Sequence, residues 1–289
     1  MTRCDLSLGF IGLGALGLPM AANLCKAGFR LHVHTRSRNA EAAPDLLGTQ
    51  SCANPAEVAE TIDVLMLCVS DDQAVDDVLC GPDGAAATLR PGAVVVDCST
   101  IAPSKAQQCA ERLAHQQIHY LDAPVTGGTE GARQGTLTVL VGGDLEQLNR
   151  VRPLLEVVGS TIHHFGAVGR GQQVKAVNQV LVAGSYAAVA EAMALGERLQ
   201  LPMPKVVEAL KSGAAGSWAL NQRSATMLRG EYPLGFRLSL HRKDLRIALE
   251  AAQNAELSLP VTQLVEQLET ELIQRGHGDD DVSALHRGL

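Results

Sequence analysis

The stretch LSLGFIGLGALGLPMAANLCKAG, residues 6–28, decides the fold of this protein. The apolar run Leu6–Ile11 predicts a short buried strand, and the apolar segment that follows predicts a helix to Lys26, with Gly28 as its stop. Three glycines separate these two elements in the spacing G-x-G-x-x-G: Gly12, Gly14 and Gly17. A strand, a glycine turn and a helix in this order open a βαβ unit.

Further apolar segments follow along the N-terminal half, each bounded by Gly, Pro, Asp or Ser and separated by helical stretches around Ala56, Ala74 and Ala106. These segments are Leu31–Val33, Val64–Val69, Ala93–Val96, Ile118–Leu121 and Leu137–Val141. Alternation of apolar strands with helices is typical of α/β folds. It predicts a mostly parallel, doubly wound sheet that is covered on both faces.

The pattern changes after Gly169. Residues Gln172–Leu199 lack proline and are rich in Ala, Val and Leu, which predicts a long helix that connects two domains. The remainder predicts several helices in a bundle, with Asp279–Asp281 as a solvated turn before the last one. Breaks are expected at Pro202, Pro204, Gly213–Gly216, Tyr232–Gly235 and Pro260. We therefore expect a dinucleotide-binding domain over residues 1–164 and an all-α domain over residues 165–289.

Composition restricts the class of protein. A chain of 289 residues is long enough for two buried cores. A net charge of -7 and only 3% aromatic residues argue against a nucleic-acid partner. The apolar stretch 6–24 contains four glycines and follows a single basic residue, so neither a signal peptide nor a membrane segment is expected.

The cysteines indicate a reducing compartment. They are odd in number and show no C-x-x-C pair, which favours reduced thiols in the cytoplasm over a disulfide framework. The seven positions are Cys4, Cys25, Cys52, Cys68, Cys80, Cys98 and Cys109.

The three glycines of the first loop each have a physical role in dinucleotide binding. The first permits a tight turn, the second lets the backbone approach a pyrophosphate, and the third allows the helix to pack closely. The helix N-terminus attracts the phosphate charge. Glycines that only form a strand-to-helix turn remain the alternative. The predicted cofactor loop comprises Gly12, Leu13, Gly14, Ala15, Leu16 and Gly17.

The end of the second strand predicts the nucleotide. An NAD-selective site usually presents Asp or Glu to the ribose there, but after the second strand of this chain no acidic residue appears before Glu41. Arg36, with the hydroxyls of Thr35 and Ser37, could instead bind a 2′-phosphate. A solvated basic loop is the alternative. The predicted cofactor is NADP, with NADPH preferred over NADH.

Two further motifs carry candidate chemistry. Thr126 is followed by Gly127 and Gly128, so a hydroxyl and backbone amides could hold a substrate carboxylate, although a plain strand-to-helix turn has the same pattern. Lys175 and Asn178 are three residues apart on the long helix and could act from one face. A lysine at the edge of an apolar core has the same signature.

Two pairs are less informative. Lys243 and Asp244 alone predict an exposed ion pair. The adjacent His163 and His164 have no carboxylate or cysteine cluster near them in the sequence, so we predict no metal site.

The whole chain resembles the β-hydroxyacid dehydrogenases, the family of 3-hydroxyisobutyrate dehydrogenase, tartronate semialdehyde reductase and glyoxylate/succinic semialdehyde reductase. Five blocks carry the resemblance in order: Gly9–Asn23 (GFIGLGALGLPMAAN), Asp97–Pro103 (DCSTIAP), Asp122–Gly143 (beginning DAPVTGG), Gly169–Gln179 (GRGQQVKAVNQ) and Gly235–Leu245 (GFRLSLHRKDL). The resemblance implies an N-terminal Rossmann domain, a helical C-terminal domain and a homodimer or homotetramer.

The resemblance also implies residue roles. Lys175 is expected to be the catalytic lysine, Asn178 its companion, and Thr126–Gly128 the cradle for the substrate carboxylate. The remaining contacts are expected as follows: Thr100 and Lys243 with the cofactor, Val69 and Ser70 at the adenosine or pyrophosphate, Phe236 and Asp244 at the substrate cleft or against Lys243. Three positions depart from the common family pattern: Thr126 for Ser, Gln179 for Asn, and Leu16 for Met.

The expected activity is NADPH-dependent reduction of tartronate semialdehyde, succinic semialdehyde or glyoxylate. A 3-hydroxyisobutyrate or serine-type dehydrogenase is the alternative, because the segment around Trp218 resembles those enzymes. Lys175 argues against an imine reductase, and 6-phosphogluconate dehydrogenases need a longer chain. A nucleotide-sensing scaffold would be expected to lose either Lys175 or the carboxylate cradle, and the chain has both.

Overall fold

The structure is a computed structural model and describes residues 7–289, so the predictions made for Cys4 and Leu6 lie outside the described residues. By its internal contacts the chain divides into two compact units. The first unit ends at Lys175, and the second is Ala176–Leu289. Each unit is described separately below.

The first unit contains the predicted doubly wound sheet. Its six strands are all parallel and lie in the order β3-β2-β1-β4-β5-β6. They are β1 (Leu8–Ile11), β2 (Leu31–His34), β3 (Gln50–Ser51), β4 (Val64–Leu67), β5 (Val94–Asp97) and β6 (His119–Asp122). The direction in which strands are added reverses between β1 and β4, which is where α/β sheets of this type bind ligands.

Helices and two apolar clusters cover this sheet. The helices that follow its strands are α1 (Gly17–Lys26), α2 (Pro55–Ala59), α3 (Asp72–Cys80) and α4 (Pro103–Ala114). Phe10, Val33 and Met66 belong to one cluster. Ile11 and Leu67, which directly follow Phe10 and Met66 along their strands, belong to the other. Because both faces are buried, the strands are continuous apolar runs instead of alternating ones.

One predicted strand lies in a different sheet. The sequence pattern placed Leu137–Val141 in the doubly wound sheet, but the structure has it as β8 of a separate three-stranded sheet in the order β7-β8-β9. Gly127 and Gly128 both have positive φ and reverse the chain soon after β6, so β8 pairs antiparallel with the short β7. The new elements are β7 (Val125–Thr126), α5 (Gly128–Gln134), α6 (Leu145–Val158) and β9 (Gly159–His164).

The long helix and the helical remainder are confirmed. They comprise α7 (Arg170–Arg198), α8 (Met203–Leu210), α9 (Trp218–Met227), α10 (Leu238–Asn254) and α11 (Pro260–Gln274). Pro204 and Pro260 lie in the first turns of α8 and α11, where the missing amide proton costs nothing. Within residues 7–289, α7 is the one helix that is long and apolar enough to cross a membrane, a test that core helices also pass.

The prediction of a solvated turn at Asp279–Asp281 is wrong for Asp281. Its carboxylate is fully buried and accepts hydrogen bonds from the amides of Gly235 (3.0 Å), Phe236 (2.8 Å) and Ser283 (3.0 Å). Arg223 Nε lies 3.3 Å from the same carboxylate. Asp281 joins two loops. The sequence did not indicate this, because Gly235, Phe236 and Arg223 are distant from Asp281 in the chain.

A second buried carboxylate ends strand β5. Asp97 is inaccessible to solvent, and its two oxygens accept hydrogen bonds from the Ser99 amide (2.9 Å) and the Tyr120 hydroxyl (2.7 Å). Burial raises the pKa of Asp97 from 3.8 to about 6, and the hydrogen bonds only partly offset this effect. The folded state therefore holds the Asp97 proton more tightly than the unfolded chain does.

This pKa shift predicts a pH-dependent stability difference between the native chain and Asp97→Asn. The stabilising effect of the bound proton is present below pH 3.8 and is lost as the pH rises to about 6. Across that window the free energy of unfolding of the native chain should fall by about 3 kcal/mol relative to Asp97→Asn. Urea titrations from pH 4 to 7 measure this, with Asp83→Asn, at an exposed position, as the control for loss of one carboxyl group. A constant difference at all pH values would contradict the assignment.

Candidate active site

The carboxyl ends of the central strands lie side by side. The register pairs Ile11 with Leu67, Leu67 with Asp97, and Asp97 with Asp122, so four strands end at the same level. The segments that follow β1, β4 and β5 contain several of the residues predicted for the cofactor. The first unit thus brings together, at one edge of one sheet, the glycine loop, Val69, Ser70 and Thr100.

The glycine loop fits a dinucleotide pyrophosphate. Gly12 has φ +99°, and a Cβ atom there would collide with the Cys68 carbonyl oxygen. A Cβ at Gly17 would collide with the Gly12 carbonyl oxygen, so the first turn of α1 needs glycine to pack against the loop. A Cβ at Gly14 would meet no atom within 4 Å, and Gly14 and Ala15 are exposed. The loop therefore leaves an open approach to the start of α1.

The start of α1 is suited to an anion. Leu16 occupies its N-cap position, and no side chain of residues 7–289 caps the helix there. The Leu13 amide is satisfied differently, since it donates to the Thr35 hydroxyl at 3.3 Å. An uncapped helix N-terminus that faces open space has amide groups and a positive dipole end available to a phosphate.

The end of β2 differs from the sequence expectation in two respects, the burial of Thr35 and the position of Glu41. Arg36 and Ser37 are exposed there, as a phosphate contact requires, whereas Thr35 is buried. Glu41, however, folds back to this point, and its carboxylate accepts a hydrogen bond from the Thr35 amide at 2.9 Å. It also contacts the Ser51 hydroxyl and pairs with Arg38 at 3.1 Å. An acidic group therefore lies at the strand end, neutralised by Arg38.

The loop after β6 has the geometry expected of a carboxylate cradle. Thr126 is half-buried in β7, Gly127 is exposed, and Gly127 and Gly128 have φ of +132° and +66°. Gly128 begins α5, so this loop also ends at a helix N-terminus. Helix α5 ends with Gly135 as its left-handed C-cap.

Lys175 lies in the second turn of α7. Only 6% of its surface is exposed, which is unusual for a lysine. Asn178 follows three residues later on the same helix, so the two side chains share one face. By residue number, Lys175 belongs to the first unit and Asn178 to the second.

A hydrogen-bonded chain connects three predicted side chains of the second unit, Asn178, Asp244 and Lys243, through Gln179. Asn178 Nδ2 donates to Gln179 Oε1 at 2.7 Å, and Gln179 Nε2 donates to Asp244 Oδ2 at 2.7 Å. Lys243 Nζ lies 2.9 Å from the other oxygen of Asp244. Asp244 is 3% exposed, so the prediction of an exposed pair with Lys243 is wrong. The buried carboxylate fixes both the lysine and, through Gln179, the asparagine.

Phe236 belongs to the same unit and is half-buried. Its ring packs edge-on against His241 at a centroid distance of 5.3 Å, and its amide donates to Asp281. His241 and Glu269 form a fully buried pair at 2.6 Å. Burial raises the pKa of Glu269, and the adjacent His241 partly offsets the rise. Sequence reasoning missed this pair because its members are 28 residues apart on two helices.

The two histidines considered for a metal have other contacts. His164 Nε2 lies 2.7 Å from the Gly143 carbonyl oxygen, and the His163 ring packs near Phe165. Over residues 7–289 no group of three or more His, Cys, Asp and Glu side chains could hold a metal ion. The expectation of a metal-free site remains a prediction.

Comparison with known families matches almost the whole chain. Residues 7–166 match the family described as the NAD binding domain of 6-phosphogluconate dehydrogenase. Residues 169–289 match the family described as NAD-binding of NADP-dependent 3-hydroxyisobutyrate dehydrogenase. Both halves therefore match pyridine-nucleotide enzymes.

Individual relatives agree with this. The chain is 38% identical to the 2-hydroxy-3-oxopropionate reductase of Escherichia coli K12, over 98% of this chain and 97% of that protein. It is 36% identical to the NAD-dependent L-serine dehydrogenase of Pseudomonas aeruginosa, over 97% and 96%. The crystal structure of 3-hydroxyisobutyrate dehydrogenase from Salmonella typhimurium superposes with a TM-score of 0.90 at 30% identity, covering 99% of this chain and 100% of that one.

Three findings lead to one assignment: the sheet with its glycine loop, the helical second unit, and these matches over nearly the full length of the chain. The chain belongs to the β-hydroxyacid dehydrogenase family, the NAD(P)-dependent oxidoreductases that act on the CH–OH group of hydroxyacids.

Proposed function

We propose that this protein reduces small aldehyde-acids with NADPH and that Lys175 is the proton donor. The observation that carries the proposal is a lysine that is 6% exposed in the second turn of α7, in a unit whose sheet edge holds a pyrophosphate-type loop. Tartronate semialdehyde, succinic semialdehyde and glyoxylate are the proposed substrates. The E. coli relative is named 2-hydroxy-3-oxopropionate reductase. Because 2-hydroxy-3-oxopropionate is tartronate semialdehyde, this match supports the first of the three substrates.

The chemistry assigned to the chain is proton transfer and charge stabilisation. Bound NADPH would supply the hydride that the aldehyde carbon accepts. As the carbonyl π electrons move to oxygen, the Lys175 ammonium stabilises the developing negative charge and gives its proton to that oxygen. The product is the hydroxyacid, and Lys175 regains a proton from solvent. Asn178 would orient the lysine or the oxygen.

The remaining site residues are proposed from their positions and from the family resemblance. Thr126, Gly127 and Gly128 would hold the substrate carboxylate. The loop Gly12–Gly17, together with Val69, Ser70, Thr100 and Lys243, would hold the cofactor. Phe236 would border the substrate, and Asp244, 2.9 Å from Lys243, would keep that lysine in place.

A preference for NADP rests on Arg36 and Ser37, which are exposed at the end of β2. The family that residues 169–289 match is described by an NADP-dependent enzyme, which agrees with this preference. We further propose a cytoplasmic, metal-free homodimer or homotetramer, with residues 1–164 binding NADP and 165–289 serving substrate binding and association. The six cysteines of the described chain, all free thiols, support the location.

A second candidate is an NAD-dependent oxidation of a serine-type or 3-hydroxyisobutyrate-type substrate. Two observations favour it. Glu41 places a carboxylate at the end of β2, and a relative at 36% identity is an NAD-dependent L-serine dehydrogenase. The pairing of Glu41 with Arg38 and Ser51 weakens this candidate, because a carboxylate already in use binds a ribose less well.

Lys175→Ala should lower kcat for aldehyde reduction by about 10²- to 10⁴-fold, because a positioned acid is lost. The dissociation constant for NADPH, measured by quenching of its fluorescence, should change little. Lys205→Ala, which removes an exposed lysine on α8, is the matched control and should retain full activity. A near-native kcat in Lys175→Ala would remove this residue from the role.

Arg36→Ala should lower kcat/KM with NADPH by about 10- to 100-fold, because a charge-assisted phosphate contact contributes roughly 1.5–3 kcal/mol. With NADH the change should be less than about twofold. Arg30→Ala, at the opposite end of β2 and also exposed, controls for the loss of one positive charge. If kcat/KM of the native enzyme with NADH equals or exceeds that with NADPH, the predicted preference for NADP is wrong.

The carboxylate cradle predicts selectivity that a substrate panel can measure. NADPH oxidation with C2 to C4 aldehyde-acids should exceed that with the matching aldehydes lacking the carboxylate by at least about tenfold in kcat/KM, the value of one charged hydrogen bond. The matching hydroxyacids with NADP⁺ and NAD⁺ test the oxidative candidate in parallel. Equal rates with and without the carboxylate would contradict the cradle.

A further inference from the structure

The first turn of α7 is held by a carboxylate from another element. Asp122, the last residue of β6, is fully buried, and its two oxygens accept hydrogen bonds from the amides of Gly169 (2.8 Å) and Gln172 (2.9 Å). The first amides of a helix have no partner within the helix, and an anion at that end also interacts favourably with the helix dipole. Asp122 therefore caps α7 from 47 residues earlier in the chain.

Two glycines make room for this carboxylate. A Cβ atom at Gly142 would lie 2.5 Å from Asp122 Oδ1, and a Cβ at Gly171 would lie 2.8 Å from Oδ2. A side chain at either position would force a shift of the carboxylate, of the start of α7 or, at Gly171, of the Leu140 carbonyl group, with whose oxygen the Cβ would collide. The local sequence is thus adapted to the contact between Asp122 and the helix.

A second side chain of the same turn holds the helix to a different loop. Gln172 is 1% exposed; its Nε2 donates to the Ser99 carbonyl oxygen at 2.8 Å, and its Oε1 accepts from the Ile101 amide at 3.2 Å. Ser99 in turn accepts the Val69 amide through its hydroxyl at 2.9 Å. One glutamine therefore joins α7 to the segment after β5, and through Ser99 to the segment after β4.

Lys175 follows Gln172 by three residues, a rise of about 4.5 Å along the helix. Because the turn that precedes Lys175 is fixed at both Asp122 and Gln172, the height and rotation of the lysine relative to the ends of β4, β5 and β6 are fixed as well. Without these bonds the first turn would fray, as helix ends do. The ammonium would then spend less time at its reacting position.

We infer that Asp122 and Gln172 are positioning residues for Lys175, and that they couple the segments after β4 and β5 and the end of β6 to the catalytic lysine. The inference rests on the proposed role of Lys175. Neither residue takes part in the chemistry. Their contribution is to keep one amine in place, and small misplacements of reacting groups cost about 10- to 100-fold in rate.

The test is a double-mutant cycle measured by single-turnover reduction. Gln172→Met removes both amide contacts with little change of volume. It should lower the rate by about 10- to 100-fold in the chain with Lys175. In the Lys175→Ala background it should lower the residual rate by less than about twofold, because no amine remains to be misplaced.

A measurement of hydrogen exchange and a matched control variant accompany the cycle. Hydrogen–deuterium exchange of the cofactor-free protein should show faster exchange at residues 169–175 in Gln172→Met. Gln173→Met is the matched control at the adjacent, exposed position. Within residues 7–289, the Gln173 side chain is hydrogen-bonded only to Arg170. This variant should therefore match the native chain in both assays. Asp122→Asn repeats the cycle from the other anchor if Gln172→Met does not fold.

The outcomes separate the two proposals. Equal losses in both backgrounds would show that Gln172 supports folding alone, and they would overturn the inference while Lys175 keeps its role. Unchanged exchange together with an unchanged rate in Gln172→Met would overturn it as well. Full activity of Lys175→Ala would defeat the proposed function first, and the positioning role with it.

Discussion

The in-register pairing of β1, β4, β5 and β6 is the constraint on which the rest of the first unit depends. Because Ile11, Leu67, Asp97 and Asp122 end their strands abreast, four connections leave the sheet at one level. Parallel strands buried on both faces leave little room for polar groups except at these ends. Predicted binding residues from distant parts of the sequence are therefore collected at one edge.

Polar groups buried at this edge are hydrogen-bonded, which limits their cost. Asp97 binds Ser99 and Tyr120, and Asp122 binds the start of α7. Each carboxylate joins elements that the apolar cores do not orient by themselves. The hydrophobic effect is non-directional, whereas a hydrogen bond is lost within about 1 Å. The polar contacts therefore restrict the relative positions of the groups that they join more closely than the burial of apolar surface does.

The second unit uses the same device. Asp244 accepts a hydrogen bond from Gln179 and lies against Lys243, and Asp281 accepts hydrogen bonds from the adjacent amides of Gly235 and Phe236. Gln179, one of the departures from the common family pattern, has an amide that reaches Asp244 at 2.7 Å, which gives this substitution a structural role. Predicted binding residues of this unit are thus held by buried acids; the family resemblance indicated a role for Asp244, whereas the sequence indicated none for Asp281.

The sequence by itself determined the alternation of the main strands and helices, the glycine loop, the long helix, and the side chains that carry the proposed chemistry. These follow from periodicity, from glycine at positions of positive φ such as Gly12, and from motif spacing, all of which are local. Tertiary structure alone decided that Leu137–Val141 leaves the main sheet, that Glu41 returns to the end of β2, that Asp281 is buried, and that Asp122 caps α7. Asp97 and Asp122 both follow apolar runs, but aspartate side chains are mostly exposed, so the sequence alone does not predict their burial. It also cannot name their distant partners, because the Tyr120 hydroxyl and the Gly169 and Gln172 amides lie 23 to 50 residues away, and only the folded chain brings them within 3 Å.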